Sequence, residues 1–443
     1  MAAGLVTLAY VALSVGHLIV APVAPDSALN YANAPDEAAH RVYIAAIATG
    51  HRLPLPPRAA SVGGEVRRIE DPRFPTYEWH QPPLYYLLAA PLHSLGIVGE
   101  RALGVLIGAA GIWVIFLCAR LLFPDDPPLA VVAMGFAALL PMRQAITAAV
   151  GNDGATELVF SLTALSLVAA LRGGFTPLRA FSLGVCLVLA LLTKTTGMLL
   201  VPVAAFALWR LRADGESASS IARGAGIVAA VVLAGASWWY LRNVRLTGEF
   251  LPMRAFRQEF AGTSRARDWI GRPLAVDPLS GELVPSAPMT RAGYVGLVAA
   301  WTARSFFAAY TPPRKAAIGA PVFLPQQFYW PYAAFLAVAL AGLLRVRPKE
   351  WTPAQRSGAW TLGLIAVLVV GAFGAFAWEY FQATGRYLYP ALLPISIAWA
   401  LGFRRAIPQR RRDEVSVGAL ALMAVLAFAF LTAAVLPAYS SAP

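Results

Sequence analysis

The chain has 443 residues, of which 58% are hydrophobic and 13% are charged, and its mean hydropathy is +0.61. Soluble globular proteins carry about 25% charged residues, so the composition excludes a soluble globule and indicates an all-α polytopic membrane protein. The net charge is +13, but the Lys and Arg residues are dispersed between apolar segments, which argues against a nucleic-acid-binding face.

Apolar runs along the chain predict eleven transmembrane helices, because a helix needs about 20 residues to cross a bilayer. The first run has neither a basic segment before it nor a clear small-residue cleavage site, so we expect it to be retained as a span. The two cysteines, Cys118 and Cys186, lie inside apolar runs, which argues against a disulfide framework and a metal-thiolate site. The predicted spans are residues 4–23, 101–122, 129–149, 155–171, 179–193, 197–211, 224–244, 328–344, 358–378, 387–403 and 415–436.

The distribution of Lys and Arg predicts the orientation of these spans. With a cytoplasmic N-terminus, the cytoplasmic turns carry fifteen Lys and Arg residues and the three short outer turns carry only Lys194 and Arg386. Short loops follow the positive-inside rule, so we expect a multi-pass protein of the plasma membrane, the inner membrane in a bacterium. The long segments 24–100 and 245–327 then lie on the extracytoplasmic side.

Both long segments contain predicted interfacial helices. Pro35 to Thr49 and Pro82 to Leu95 each begin at proline and end before glycine, a pattern typical of helix boundaries. Pro82 to Leu95 is too short to span and is expected to lie along the interface, as is the apolar patch Tyr294 to Tyr310. We therefore divide the chain into a catalytic membrane module (1–244, including the loop 24–100), an extracytoplasmic loop with an interfacial helix (245–327) and C-terminal transmembrane helices (328–443).

The polar residues that interrupt the apolar pattern all fall on the extracytoplasmic side of this topology. The sequence NAPDEAAH at 33–40 places Asp36 and Glu37 in the first turn of a helix, with His40 on the same face as Asp36. Convergence on one side predicts a single site at that membrane boundary. Its candidate residues are Asp36 and Glu37 as catalytic groups, and His40, His80, Asn152, Asp153, Lys194, Arg242, Arg386 and Tyr387 as substrate-binding groups.

Each candidate also has a purely structural interpretation. Acidic residues in a first helical turn complement the helix dipole, and Asp153 could cap the helix that follows it. Lys194, Arg242 and Arg386 could extend to lipid headgroups, and Tyr387 could belong to an interfacial aromatic belt. The histidines could be ordinary polar packing residues.

One acidic cluster that faces several cations suits the transfer of a sugar from a polyprenyl phosphate to an acceptor hydroxyl. The leaving phosphate is a weak base that needs cations rather than a proton, so one carboxylate suffices as the base that activates the acceptor. Attack from the face opposite the phosphate inverts the anomeric configuration. Lys194, Arg386 and either Arg242 or His80 would stabilise the phosphate charge.

The chain resembles the GT-C superfamily of integral-membrane glycosyltransferases, in the branch that includes protein O-mannosyltransferases and aminoarabinose transferases. The matching motifs, in order, are PDEAAH at 35–40, HQPPLYY at 80–86, the ND of GNDG at 151–154, LTKTTG at 192–197, WWYLRN at 238–243 and GRYLYP at 385–390. The resemblance implies a GT-C-like fold and assigns the catalytic base to Asp36, with Glu37 as its neighbour or substitute.

We therefore expect an inverting glycosyltransferase that uses a polyprenyl-phosphate-linked sugar donor and a protein, lipid or glycan acceptor among membrane lipids. No cofactor is expected, although Asp36, Glu37 and Asp153 could hold Mg²⁺ or Mn²⁺ through oxygen ligands. A transporter or flippase for a lipid-linked or anionic substrate is the alternative, but its ionisable residues would lie near mid-membrane, usually with internal repeats. A non-catalytic scaffold would have no reason to gather acidic and basic groups on one side.

Overall fold

The computed structural model describes residues 1–21, 34–56, 58–62, 65–69, 76–276, 283–312 and 321–440. The last two residues of the first predicted span and Asn33 of the NAPDEAAH stretch lie outside these ranges.

The described residues are predominantly helical. Two short antiparallel hairpins are the exceptions: β1 (Arg58–Val62) pairs with β2 (Glu65–Ile69), and β3 (Leu274–Val276) pairs with β4 (Leu283–Pro285). The helices are α1 (Ala2–Val20), α2 (Glu37–Ala48), α3 (Leu84–Ala89), α4 (Gly96–Leu122), α5 (Pro127–Ala138), α6 (Pro141–Thr147), α7 (Asp153–Gly173), α8 (Pro177–Thr193), α9 (Leu200–Ala213), α10 (Ala218–Thr247), α11 (Met253–Glu259), α12 (Ala266–Trp269), α13 (Arg291–Phe307), α14 (Trp330–Leu343), α15 (Pro353–Glu379), α16 (Leu392–Ala406), α17 (Arg412–Ala429) and α18 (Leu436–Ser440).

Each of the eleven predicted spans is helical over most of its length, but the count of eleven membrane crossings is not confirmed. Within the described ranges, seven helices are long and apolar enough to cross a membrane, or eight if α5 and α6, which meet at 67°, form one broken span. The all-helical membrane fold is confirmed. The interfacial position of Pro82 to Leu95 stays a prediction; α3 covers part of it and a 3₁₀ helix, Ala90–Leu95, continues to Gly96, where φ is 68°.

Several helix starts follow directly from the sequence. Proline occupies the first helical position of α5, α6, α8 and α15, where its missing N–H costs nothing. Thr176 and Thr352 accept hydrogen bonds from the backbone of the first turns of α8 and α15. These residues fix where the apolar segments begin.

Small residues allow close packing inside the bundle. The most extensive contacts join α14 to α16, α8 to α10, and α4 to α7. A side chain at Gly342 of α14 would collide with the backbone of Gly402 in α16, so these two helices approach at glycine. Membrane helices associate in this way because lipid provides no hydrophobic driving force between them.

One end of the bundle is irregular, and the candidate residues lie there. Short 3₁₀ helices interrupt the regular helices at Tyr77–His80, Thr195–Leu199 and Gly385–Ala391. They meet the start of α2 and the turn between α6 and α7 around one cavity. Irregular backbone at membrane depth is tolerated where it lines such a cavity.

Candidate active site

Asp36 lies directly before α2 in an unusual backbone conformation. Its φ of 62° and ψ of 7° place it in the left-handed region, which few non-glycine residues adopt. The helix therefore begins at Glu37 rather than at Pro35, a difference of two residues from the prediction. Such conformations persist where the surroundings hold them, and they cluster at functional sites.

Tyr77 and Arg386 hold the carboxylate of Asp36. The Tyr77 hydroxyl donates to Oδ1 at 2.5 Å, and Nη2 of Arg386 donates to Oδ2 at 2.7 Å. Burial opposes ionisation of Asp36, but the charge of Arg386 and the hydrogen bonds outweigh it and lower the pKa of this carboxyl from its usual value. Asp36 is therefore a carboxylate at neutral pH.

Four charged side chains form a continuous chain across the cavity. Arg386 bridges the two aspartates, since its Nη1 also lies 3.2 Å from Oδ2 of Asp153. Nζ of Lys194 lies 2.5 Å from Oδ1 of the same Asp153. The Asp153 side chain makes no capping hydrogen bond to α7. The Lys194 side chain forms an ion pair with Asp153 and does not extend towards lipid headgroups.

Gly385 fixes the position of Arg386. Its N–H donates to Oγ of Ser305 at 2.8 Å, and a Cβ at this position would lie 2.3 Å from the backbone nitrogen of Phe306. The 3₁₀ helix therefore packs directly on α13, and only glycine fits. Tyr387, next to Arg386, places its ring 5.0 Å below the guanidinium carbon.

Glu78 also lines the cavity, although it is not among the site residues predicted from the sequence. Only 6% of it is exposed, and its Oε2 has no hydrogen-bond partner among the described residues. Burial, and then the charge of Asp36, raise the pKa of Glu78 to about 8. The carboxyl is therefore mostly protonated at pH 7.

Both predicted histidines line the cavity and are uncharged. Nδ1 of His40 lies 2.9 Å from the Tyr86 hydroxyl, and Nδ1 of His80 lies 2.7 Å from the carbonyl oxygen of Tyr77. Burial lowers the pKa of each to about 4. They supply hydrogen-bonding groups rather than positive charge. Asn152 also lines the cavity, and its amide nitrogen lies 3.5 Å from the Tyr86 hydroxyl.

Glu37 and Arg242 do not join this cluster. The carboxylate of Glu37 receives Nε and Nη2 of Arg101, at 2.8 and 2.6 Å, and the backbone N–H of Val150 at 2.8 Å. It therefore ties α2 to α4 and to the turn before α7. Arg242 donates to the carbonyl of Pro54 and stacks on Trp239, away from the cavity. The structure does not bring these two predicted site residues to the cavity, because each side chain binds a nearer partner.

The cavity has a volume of about 360 Å³ and two chemically distinct walls. The charged chain and its hydrogen-bonding neighbours form one wall. Aromatic and aliphatic side chains of α11, of Phe260 directly after it and of α15 form the other wall, including Phe256, Phe373 and Phe376. An amphiphile with an anionic head and an apolar tail matches this division.

Among the residues that the structure describes, one group of side chains could hold a divalent cation. The carboxylates of Asp36 and Glu78 and a ring nitrogen of His40 offer ligand atoms within 4.8 Å of one another. However, Asp36 already binds Arg386 and Tyr77, so a cation would have to displace these two partners. The residues fit a metal poorly in this arrangement.

Comparisons with known proteins identify the fold. The profile of the family described as dolichyl-phosphate-mannose-protein mannosyltransferase matches residues 80–239. No curated protein sequence matches the chain. The chain is similar to the crystal structure of ArnT from Cupriavidus metallidurans in the apo state, with 15% identity, a TM-score of 0.52, and coverage of 99% of this chain and 74% of that one. The chain has the GT-C fold.

Two further structures share the GT-C fold. ArnT from the same organism bound to undecaprenyl phosphate matches at 16% identity and a TM-score of 0.50, again over 99% of this chain and 74% of that chain. The Archaeoglobus fulgidus oligosaccharyltransferase in the apo form matches at 13% identity and a TM-score of 0.51, over 99% of this chain and 55% of that chain. The predicted GT-C-like fold is thus confirmed.

Within this GT-C fold, sequence reasoning found most of the cavity's charged groups but missed Glu78 and Tyr77. Both precede the HQPPLYY motif in a four-residue 3₁₀ helix, which leaves no periodic pattern in the sequence. The one available signal was an acidic residue next to aromatic residues just before that motif.

Proposed function

We propose that the protein is an inverting glycosyltransferase that moves a sugar from a polyprenyl-phosphate-linked donor to an acceptor hydroxyl. The observation that carries the proposal is an ionised carboxylate, Asp36, which shares a half-apolar cavity with Lys194 and Arg386. The structure of ArnT with undecaprenyl phosphate supports this donor class, because it has the same fold.

The reaction requires one proton transfer and one displacement. Asp36 takes the proton of the acceptor hydroxyl while that oxygen attacks the anomeric carbon of the donor sugar. The bond from the anomeric carbon to the phosphate oxygen breaks, and the polyprenyl phosphate leaves with the electron pair. Lys194 and Arg386 neutralise the charge that develops on the leaving phosphate.

Donor binding would also activate the base. In the structure Arg386 is shared between the carboxylates of Asp36 and Asp153. A phosphate that attracts this guanidinium weakens its bond to Asp36. The pKa of Asp36 then rises towards its ordinary value, and the carboxylate becomes a stronger base when the donor is in place.

Two further properties belong to this proposal. We propose a location in the plasma membrane, the inner membrane in a bacterium, and the Lys and Arg distribution favours a cavity that opens on the extracytoplasmic side. Because Lys194 and Arg386 already supply positive charge, transfer needs no divalent metal. Chelation by EDTA should leave the rate unchanged, and restoration of a lost rate by Mg²⁺ or Mn²⁺ would contradict this point.

The test uses purified protein in liposomes with undecaprenyl phosphate that carries radiolabelled hexoses or pentoses. Peptides with Ser and Thr, alkyl glycosides and glycolipids serve as acceptors. We expect label to pass to one acceptor class in a chromatographically stable product. Movement of labelled lipid across the bilayer with no new glycosidic bond would indicate a flippase instead.

A further inference from the structure

We propose that Glu78 acts as an uncharged carboxylic acid on the acceptor side of the cavity, where its O–H donates a hydrogen bond to an oxygen of the bound acceptor. This role rests on the proposed sugar transfer and adds an acceptor-binding residue to it.

Glu78 is a buried polar group with unused hydrogen-bonding capacity. It lines the cavity at 6% exposure, and no described residue hydrogen-bonds its Oε2. Buried polar groups are nearly always satisfied, so an exception needs an explanation. Oε2 itself is covered in this structure, so a rotation of the carboxyl would present it to a substrate oxygen in the cavity that Glu78 lines.

The position of Glu78 relative to Asp36 decides which substrate it contacts. Their carboxyl oxygens lie within 4.8 Å of each other. A hydroxyl that hydrogen-bonds Asp36 is therefore also within reach of the Glu78 carboxyl. This places Glu78 where the acceptor arrives.

The surrounding charges favour the neutral acid. Two negative and two positive groups face Glu78, and the nearby histidines are uncharged. An ionised Glu78 would add an unbalanced negative charge beside Asp36. Burial and the charge of Asp36 raise the pKa of Glu78 to about 8. The facing groups are Asp36, His40 and Tyr43 at α2, Tyr86 on α3, Asp153 at α7, Lys194 after α8, Arg386 before α16, and Tyr77 and His80 on the same 3₁₀ helix.

The test compares Glu78→Gln with Glu78→Ala. Glutamine keeps the shape and a hydrogen-bond donor, so transfer should stay within about threefold of the wild type, whereas alanine should reduce it by about tenfold or more. Equal losses in both variants would mean that the carboxylate itself is required, and the proposal would be wrong. Affinity for undecaprenyl phosphate should be unchanged in Glu78→Ala, and a tenfold weakening would place Glu78 beside the phosphate instead.

Infrared spectroscopy of ¹³C-glutamate-labelled protein gives a readout that does not depend on turnover. At pH 7 we expect a protonated-carboxyl band that disappears in Glu78→Gln. The control Glu249→Gln removes a carboxylate paired with Arg254 outside the cavity and should leave the band intact. If the wild type transfers no sugar, the proposed function is wrong. If the band is missing at pH 7, the proposal that Glu78 is uncharged is wrong, whether or not sugar is transferred.

Discussion

Asp36 and Glu37 are adjacent acids with different surroundings, and we expect two matched amide variants to separate their contributions. Asp36 faces the cavity, so Asp36→Asn removes the proposed base. General-base catalysis contributes about 10²–10⁴-fold, and transfer should fall by that factor. The Asn side chain is close in size to Asp and still offers an oxygen to Arg386, so the variant should insert and fold normally.

Glu37→Gln should affect stability instead. The variant leaves Arg101 with a neutral partner in a site where both side chains are at most 5% exposed. Loss of one partner from a buried ion pair costs about 3–5 kcal/mol, because the remaining charge stays buried. The melting temperature should fall clearly, while each folded molecule keeps transfer within about threefold of the wild type.

Thermal unfolding in detergent and initial transfer rates, normalised to folded protein, measure the two effects. The interpretation would be refuted if Glu37→Gln lost as much activity as Asp36→Asn with an unchanged melting temperature. Near-normal turnover of Asp36→Asn would remove Asp36 as the base.

Three further predictions concern donor binding, pH and backbone packing. Lys194→Met should weaken undecaprenyl phosphate binding by about 10- to 100-fold, because a charged hydrogen bond is lost, and should leave undecaprenol binding unchanged. Titration calorimetry measures both affinities, and equal affinity of the variant and the wild type for undecaprenyl phosphate would contradict this prediction. Wild-type transfer should decline as pH rises through about 8, where Glu78 ionises, and Glu78→Gln should lack that decline; identical pH–rate profiles would disprove it. Gly385→Ala should lower both melting temperature and transfer, because its Cβ would lie 2.3 Å from the Phe306 nitrogen, whereas Gly374→Ala, with open space around it, should lower neither.

The positions of the helices could be predicted from the sequence because long apolar runs are a strong signal. The predicted topology also placed Asp36, Asp153, Lys194 and Arg386 at one end of the bundle, because the order of the helices decides which turns lie together. Helix ends were less predictable: α2 begins two residues late because Asp36 adopts a left-handed conformation held by tertiary contacts.

The directions in which side chains point could not be predicted from the sequence. Glu37 and Asp36 are neighbours, yet the backbone turn at Asp36 directs one to the cavity and the other to Arg101. Glu78 approaches Asp36 because the segment Thr76 to His80 packs against α2, where the Thr76 hydroxyl donates to the carbonyl of Ala39, and no local sequence pattern predicts this contact. The contact between Arg242 and Pro54 likewise has no local sequence pattern that predicts it.

The anomeric configuration of the product tests the central claim most directly. Undecaprenyl phosphate that carries a ¹³C-labelled sugar of known configuration is incubated with the protein, and the product is examined by NMR. A single displacement assisted by Asp36 predicts complete inversion at the anomeric carbon. A product with retained configuration would require a covalent intermediate and would contradict a mechanism in which Asp36 is the only base.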